Sequence, residues 1–111
     1  MTQEKITDAC NGTICVPAPE GTSITAAYTS DMLSDVMAHA PENSVLITIQ
    51  NHINTVAVCT LVGAKIIILC HDRNVPDDMS SVSAEEGIGI ITTPLSQFEA
   101  SCAVGKILQN T

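Results

Sequence analysis

The sequence predicts an α/β domain, a three-layer α/β/α sandwich built around a mostly parallel sheet. Short and almost continuously apolar segments, such as 45–49 (VLITI) and 65–69 (KIIIL), are typical of strands that are buried on both faces. Between them lie segments with helix-starting and helix-ending residues, so strands and helices alternate over residues 23–108. Parallel strands need crossover connections, and these helices supply them.

Length and composition predict one domain, 1–111, with its core in 23–108. A chain of 111 residues can bury a core without disulfides or metals. Apolar residues make up 45% of the chain and aromatic residues only 2%, so the core is aliphatic. The formal net charge is −8 with only four basic residues, which disfavours nucleic acids and anionic membrane surfaces as partners.

The sequence also indicates a compartment. It begins with polar residues rather than an apolar signal segment, and it has no run of the roughly 20 apolar residues that a membrane helix needs. Five cysteines without CxxC spacing are typical of thiols buried in the core of a protein from a reducing compartment. We therefore expect a cytoplasmic protein.

The first third of the chain predicts a short helix, an edge segment, a strand and a second helix. Residues 1–11 favour a helix, and 13–17 an extended segment that Pro17 restricts to an edge position. A strand is expected over 23–28. The next helix covers 32–40, with Ser30 as its N-cap, Asp31 near its positive end and Pro41 ending it.

Residues 54–62 are ambiguous, because their β-branched residues would also suit the second strand of a hairpin. We favour a helix, since Asn54 is a natural N-cap and Gly63 a natural C-terminal residue. A helix that is apolar all round is either fully buried or lies on a subunit interface. We therefore expect a homodimer through the region of Thr55, Val58 and Val62.

The last part of the chain predicts two further helices around a strand at 88–91. The first helix covers about 77–86, with Met79 and Val82 facing the core. The final helix runs to about 108, and the apolar residues expected to face inward are Leu95, Phe98, Cys102 and Ile107.

Polar residues follow the predicted strands at 29–31, 50–54, 71–73 and 92–93, whereas the opposite strand ends carry small, uncharged residues. Ligands of open parallel sheets bind beyond the carboxyl ends of the strands. We therefore predict a ligand site there, formed by Ser30, Asp31, Gln50, His52, Asn54 and Thr93. A purely structural interpretation stays open, because helix caps and turns need similar residues.

The sequence contains no recognisable catalytic or cofactor motif. It has no Walker loop and no GxGxxG. The spacing of Cys59, Cys70, His52 and His71 matches no structural zinc pattern, and nothing indicates an activated Cys–His pair. We expect no enzymatic activity, no cofactor and no metal.

Three segments resemble the DRTGG-domain family in their order and spacing: 28–37 (YTSDMLSDVM), 45–69 (VLITIQNHINTVAVCTLVGAKIIIL) and 85–108 (EEGIGIITTPLSQFEASCAVGKIL). They are most similar to its short stand-alone members from anaerobic bacteria, and the fold also resembles the N-terminal domain of HPr kinase/phosphorylase. The resemblance implies a three-layer domain that dimerises and acts as a regulatory or ligand-sensing module, in some relatives alongside adenine nucleotides.

The chain departs from the residues that give that family its name. Asn51-His52 stand where the family has its Asp-Arg pair, and Cys70-His71-Asp72 stand where it has Thr-Gly-Gly. No kinase activity is implied, because the Walker loop is missing. We expect a non-catalytic, homodimeric domain that senses a small ligand, a nucleotide or an anion among the candidates. The alternative is a protein-interaction subunit of an anaerobic, hydrogenase-like redox system that has no small ligand.

Overall fold

Helices and strands alternate along the chain in the computed structural model, which describes residues 1–109; the last two residues of the predicted domain 1–111 lie outside this range. The elements are α1 (Gln3–Ala9), β1 (Thr13–Val16), β2 (Ala26–Thr29), α2 (Leu33–His39), β3 (Ser44–Thr48), α3 (Ile53–Val62), β4 (Ile66–Leu69), α4 (Asp77–Glu86), β5 (Gly89–Thr92) and α5 (Gln97–Gln109).

The strands form a sheet in the order β1-β5-β4-β3-β2. The pairs among β2, β3, β4 and β5 are parallel, and β1 pairs antiparallel with β5. The predicted mostly parallel sheet is thus confirmed, and so is the edge position of the segment around Thr13–Val16. We call the end of the sheet where β2 to β5 finish the carboxyl edge, and the opposite end the amino edge.

Helices cover both faces of the sheet, which confirms the three-layer architecture. Leu46, Ile67 and Ile90 pack with α2, α3 and α4 on one face. Residues one position away, such as Ile47 and Ile68, pack with α1 and α5 on the other face. Since β3 and β4 are buried along their whole length, their apolar sequences follow from contact with both helical layers.

Helix α3 exists as predicted and ends at Gly63, which has a φ of 82°. Two of the three residues predicted at its dimer interface are not accessible to a second chain, however, while the homodimer itself stays a prediction. Thr55 is fully buried and Val58 is buried in the core cluster of this chain, while Val62 is partly buried against the same cluster. Helix α3 packs between α2 and α4, and this position accounts for its apolar composition.

Helix α5 also faces the sheet differently from the prediction. Ala100 and Val104 are fully buried against the sheet, with Leu95 and Ile107 partly buried beside them. Phe98 and Cys102, which were expected to face inward, are exposed, and Phe98 exposes 76% of its surface. The helix carries two apolar stripes, and the smaller residues pack against the sheet.

The beginnings of β2 and α2 were also mispredicted. Strand β2 begins at Ala26 rather than at residue 23, because Ile24 pairs with Met1 instead, its N–H donating to the Met1 carbonyl at 2.8 Å. Helix α2 has Met32 at its N-cap position, and not Ser30. In residues 1–109, no helix combines the length and the apolar character needed to cross a membrane.

Candidate functional site

The carboxyl edge gathers the loops that follow β2, β3 and β4. After β2, the backbone N–H of Ser30 donates to the Ile47 carbonyl at 3.2 Å, which carries the strand pairing one residue further. The Ser30 hydroxyl accepts from the N–H of Met32 at 3.1 Å, so it shapes a turn rather than capping α2. Asp31, the next predicted site residue, is exposed.

Side-chain amides tie these loops to each other. Gln50, after β3, donates from Nε2 to the carbonyl of Asp31 at 2.7 Å. Asn51 donates from Nδ2 to the carbonyl of Asn74, beyond β4, at 3.0 Å. The Thr55 hydroxyl in turn donates to the carbonyl of Gln50 at 2.9 Å. The loop after β3 is therefore bonded to the chain on both sides, and these bonds fix the conformation of its backbone.

His52 occupies the N-cap position of α3, where Asn54 was predicted. Its Nδ1 accepts from the N–H of Asn54 at 3.1 Å, and both side chains are exposed. An imidazole that accepts at Nδ1 carries its proton on Nε2 when it is neutral. The cap thus fixes the ring while leaving Nε2–H free to donate to a group outside the chain.

A tight turn follows β4 at Cys70–Arg73. His71 and Asp72 have φ values of 58° and 50°, in the left-handed region that glycine enters most easily. Their N–H groups donate to the carbonyls of Leu95 and Thr93 at 2.9 and 2.8 Å, which hold the turn in place. These are the positions where the resemblance aligned two glycines. The turn therefore forms here without glycine, and the side chains of His71, Asp72 and Arg73 are exposed.

Thr93 was predicted to bind ligand, but it lies in the interior and bonds other parts of the chain. It is fully buried, and its hydroxyl donates to the carbonyl of Cys10 at 2.5 Å. The same oxygen accepts from the N–H of Leu95 at 3.2 Å. Since this buried hydroxyl already donates one hydrogen bond and accepts another within the chain, a ligand on the surface has no access to it.

The thiols near the sheet are poor nucleophiles. Burial raises the pKa of Cys70 to about 11 and that of Cys59 to about 12. Burial also raises the pKa of Cys10. These thiols stay protonated at neutral pH, whereas both nucleophilic attack and metal binding need the thiolate. Among residues 1–109, no group of three or more His, Cys, Asp or Glu side chains is placed to hold a metal ion.

A hydrogen-bonded trio beside the edge was not predicted. The Tyr28 hydroxyl donates to Asp35 at 2.7 Å, and the ring of His39 lies 3.2 Å from the other oxygen of that carboxylate. The bond from Tyr28 is the main reason that the pKa of Asp35 is lowered, and the same bond raises the pKa of Tyr28. The Asp35–His39 spacing of four residues is visible in the sequence, but the contribution of Tyr28 from the preceding strand is not.

The start of α5 lies next to the turn after β4. Ser96 and Glu99 form a reciprocal cap, with the Ser96 N–H donating to the Glu99 carboxylate at 3.0 Å and the Glu99 N–H donating to the Ser96 hydroxyl at 3.1 Å. The bonds from Ser96 lower the pKa of Glu99, and the nearby charge of His71 adds a smaller effect. The carboxyl edge thus combines exposed basic and acidic groups in one region.

The opposite edge contains a surface depression of about 580 Å³. It lies where β2 to β5 begin, under the loop that contains Gly21, and its polar lining includes Thr25, Asn43, Lys65 and Glu86. No sequence pattern predicts a concave surface there, because the loop at 19–23 approaches the strand ends only in the folded protein.

Comparison with solved structures identifies a similar fold in the regulatory region of a Clostridium perfringens pyrophosphatase, comprising its CBS and DRTGG domains in complex with the activator diadenosine tetraphosphate. The TM-score is 0.71 at 14% identity, over 93% of this chain and 45% of the other. This chain therefore corresponds to less than half of that structure. No protein-family model matches the sequence, and no curated protein matches it.

The shared fold agrees with the DRTGG-type architecture that the resemblance implies. The resemblance to the N-terminal domain of HPr kinase/phosphorylase has no counterpart in these comparisons and stays a prediction.

Proposed function

We propose that this protein is a non-catalytic regulatory domain, homodimeric, which senses a small anionic ligand at the carboxyl edge. Exposed His52 and Asn54 at the start of α3, together with Asp31 and the fixed Ser30–Gln50 loops, form the binding surface. Thr93 supports this surface from the interior. The ligand class is a nucleotide or another small anion.

One observation carries the proposal. Gln50 and Asn51 bond the loop after β3 to both neighbouring loops, at 2.7 and 3.0 Å, and the side chains of His52 and Arg73 in the loops after β3 and β4 are exposed. Arg73 is the only arginine in the chain, and among residues 1–109 no side-chain partner holds it. A guanidinium and an imidazole N–H at the same edge favour an acceptor-rich ligand.

The structural neighbour supports the class of role. That protein is a regulatory region that binds a nucleotide activator, and its fold is similar to this one. Diadenosine tetraphosphate and simple adenine nucleotides are therefore the first ligands to test on this chain.

Thermal unfolding in the presence of these nucleotides and of inorganic phosphate tests the proposal. A ligand at a hundredfold excess over its Kd stabilises a protein by about 2.7 kcal/mol, which raises the Tm of a domain of this size by roughly 10 °C. We expect His52→Asn to reduce this shift, since asparagine can still cap α3 but lacks the imidazole.

Lys65→Ala is the matched control, because Lys65 is exposed at the amino edge. It should leave the ligand-induced shift unchanged. An equal loss in both variants, or no shift with any ligand in the panel, would contradict a site at the carboxyl edge.

A second candidate is the accessory subunit of a redox system. Two exposed methionines on or beside α2, Met32 and Met37, support it, with 62% and 51% of their surfaces accessible. Flexible methionines are common on protein-binding surfaces. Affinity capture from the native host would distinguish the two candidates: a partner retained by the wild type and lost by a Met32→Asp, Met37→Asp variant favours the accessory role.

A further inference from the structure

Helix α5 presents an outward stripe that the fold of a single chain does not use. Phe98, Cys102, Gly105 and Gln109 are spaced by four, three and four residues, so they lie on one side of the helix. The buried Ala100 and Val104 lie on the other side. Phe98 is the only phenylalanine in the protein, and 76% of its surface is exposed.

Gly105 is the second unexplained residue of the stripe. Glycine in the interior of a helix is destabilising, so it usually reflects a need for space. Among residues 1–109 no such need exists, because a methyl group at Gly105 would have no heavy atom within 4 Å apart from its chain neighbours and the backbone of its own helix. Around Gly105 the surface forms a shallow concavity of about 460 Å³, lined also by Cys102, Ala103, Lys106 and Gln109.

The stripe is complementary to itself. Phe98 lies four residues before Cys102, and Gly105 lies three residues after it. If two copies of α5 pack antiparallel about a two-fold axis at Cys102, the phenyl ring of each copy meets the concavity at Gly105 of the other. The missing side chain at Gly105 lets the helices approach to the short end of the usual 8–10 Å separation.

The charges follow the same symmetry. Glu99 lies three residues before Cys102 and Lys106 four residues after it, and both are on the same flank of the helix. The two-fold rotation brings the flank of one copy against the same flank of the other. Glu99 of each copy then lies beside Lys106 of its partner, so opposite charges meet twice.

We propose that a second copy of this chain docks on the outer face of α5, antiparallel and centred on Cys102. The proposal rests on the homodimer proposed above and gives it a surface, in place of the buried Thr55 and Val58. The face combines a large exposed apolar anchor, a matching concavity and matched charges, which are features of protein interfaces.

Light scattering over a dilution series tests this surface with a matched pair of variants. Phe98→Asp should raise the dissociation constant of the dimer by roughly 100-fold or more, because two apolar anchors are lost at once. Leu61→Asp is the control, since Leu61 is similarly exposed, at 73%, but lies on α3. We expect it to leave the dissociation constant unchanged. Circular dichroism checks that both variants stay folded.

The outcomes test the proposed α5 surface and the proposed homodimer separately. A wild-type chain that is monomeric at all concentrations contradicts both proposals. A dimer that survives Phe98→Asp contradicts the α5 surface and leaves the homodimer standing, and loss of the dimer in Leu61→Asp alone would place it on α3.

Disulfide formation provides an independent readout. With oxidised glutathione as oxidant, the two Cys102 thiols facing each other should form one disulfide by exchange, and their two protons and two electrons pass to the glutathione disulfide, which is reduced to two glutathione thiols. A covalent dimer should appear in the wild type and in Cys15→Ser, which removes an exposed cysteine on β1. It should disappear in Cys102→Ser. A dimer that needs Cys15 instead of Cys102 would contradict the antiparallel arrangement.

Discussion

The carboxyl and amino edges of the sheet both contain residues in the left-handed backbone region, but the residue types differ. At the amino edge, α3 and α4 end in Gly63 and Gly87, with φ values of 82° and 72°, as expected for left-handed helix ends. At the carboxyl edge, His71 and Asp72 adopt similar backbone angles without being glycine. Asn43 at the amino edge is a single further case, with a φ of 56°, whereas the carboxyl edge places two consecutive non-glycine residues in this region.

The difference suggests where function lies. Departures from local sequence rules concentrate at functional sites, where surrounding contacts maintain a less favourable backbone. The turn at His71 and Asp72 is held by bonds to Leu95 and Thr93, and the loop after β3 by Gln50 and Asn51. The amino edge contains the depression of about 580 Å³, and its loops are tied by the Gln3 amide, which bonds Val16 and Ala18, and by backbone bonds such as that from the Thr25 N–H to the Asn43 carbonyl at 2.9 Å. We therefore propose the carboxyl edge, rather than the depression at the amino edge, as the site of ligand binding.

The largest expected effect concerns the interior of the carboxyl edge. Thr93→Val should lower the free energy of unfolding by about 2–4 kcal/mol, because the Cys10 carbonyl and the Leu95 N–H would lose their buried partner. Urea denaturation measures this. Thr92→Val is the control, since among residues 1–109 the Thr92 hydroxyl hydrogen-bonds only the exposed Cys15 sulfur, at 3.5 Å, and it should change stability by less than about 0.5 kcal/mol.

A smaller effect contrasts the backbones of the two edges. Gly63→Ala should destabilise the protein by about 1–2 kcal/mol, because alanine is strained at this φ and its methyl group would lie 3.2 Å from Glu42. His71→Gly should instead stabilise the protein by up to about 1 kcal/mol, because glycine is not strained at this φ. The greater conformational entropy of the unfolded chain reduces this gain. Chemical denaturation of both variants compares them. A clear loss of stability in His71→Gly would show that the turn stores no strain.

The smallest effect is a pH dependence of the Tyr28–Asp35 bond. The bond lowers the pKa of Asp35 from its usual 3.8, so the stabilisation is present above 3.8 and fades as the pH falls through the lowered value. It raises the pKa of Tyr28 from its usual 10.0, so the stabilisation is present below 10.0 and fades as the pH rises through the raised value. Tyr28→Phe should therefore be less stable than the wild type between these limits, and the difference should shrink outside them.

Urea denaturation of the wild type and Tyr28→Phe across this range gives the measurement. A difference in stability that is constant from acid to alkaline pH would mean that the lost hydroxyl acts through packing alone.

The sheet could be predicted because its sequence signal is local. Continuously apolar segments such as 65–69 can be accommodated only between two layers, and helix-ending residues such as Gly63 and Gly87 mark the crossovers. The gathering of polar residues at one edge follows from the same alternation, because parallel strands all finish at that end.

The faces of the helices could not be predicted in the same way. In α5, Phe98 and Cys102 are spaced like a buried pair, and so are Ala100 and Val104; the close approach of the helix to the sheet favours the smaller side chains. In α3, apolar composition could mean an interface or a central position between α2 and α4, and only the three-dimensional arrangement distinguishes them.

The side-chain roles at the carboxyl edge depend on single positions. His52 caps α3 in place of Asn54, a shift of two residues that no propensity scale resolves. The burial of Thr93 depends on α1, because its partner Cys10 lies 83 residues earlier in the chain. Long-range contacts of this kind have no signal in one sequence.

Mapping ligand-induced changes in the amide NMR spectrum tests the assignment of the site most directly. Titration with the nucleotides and phosphate of the thermal-unfolding panel should shift the amide signals of residues 50–54 and 71–74. The signals of residues 22–25, 43, 65 and 86–87, around the depression at the amino edge, should stay in place. Shifts confined to this second group would move the site to the opposite edge and contradict ligand sensing at the carboxyl edge.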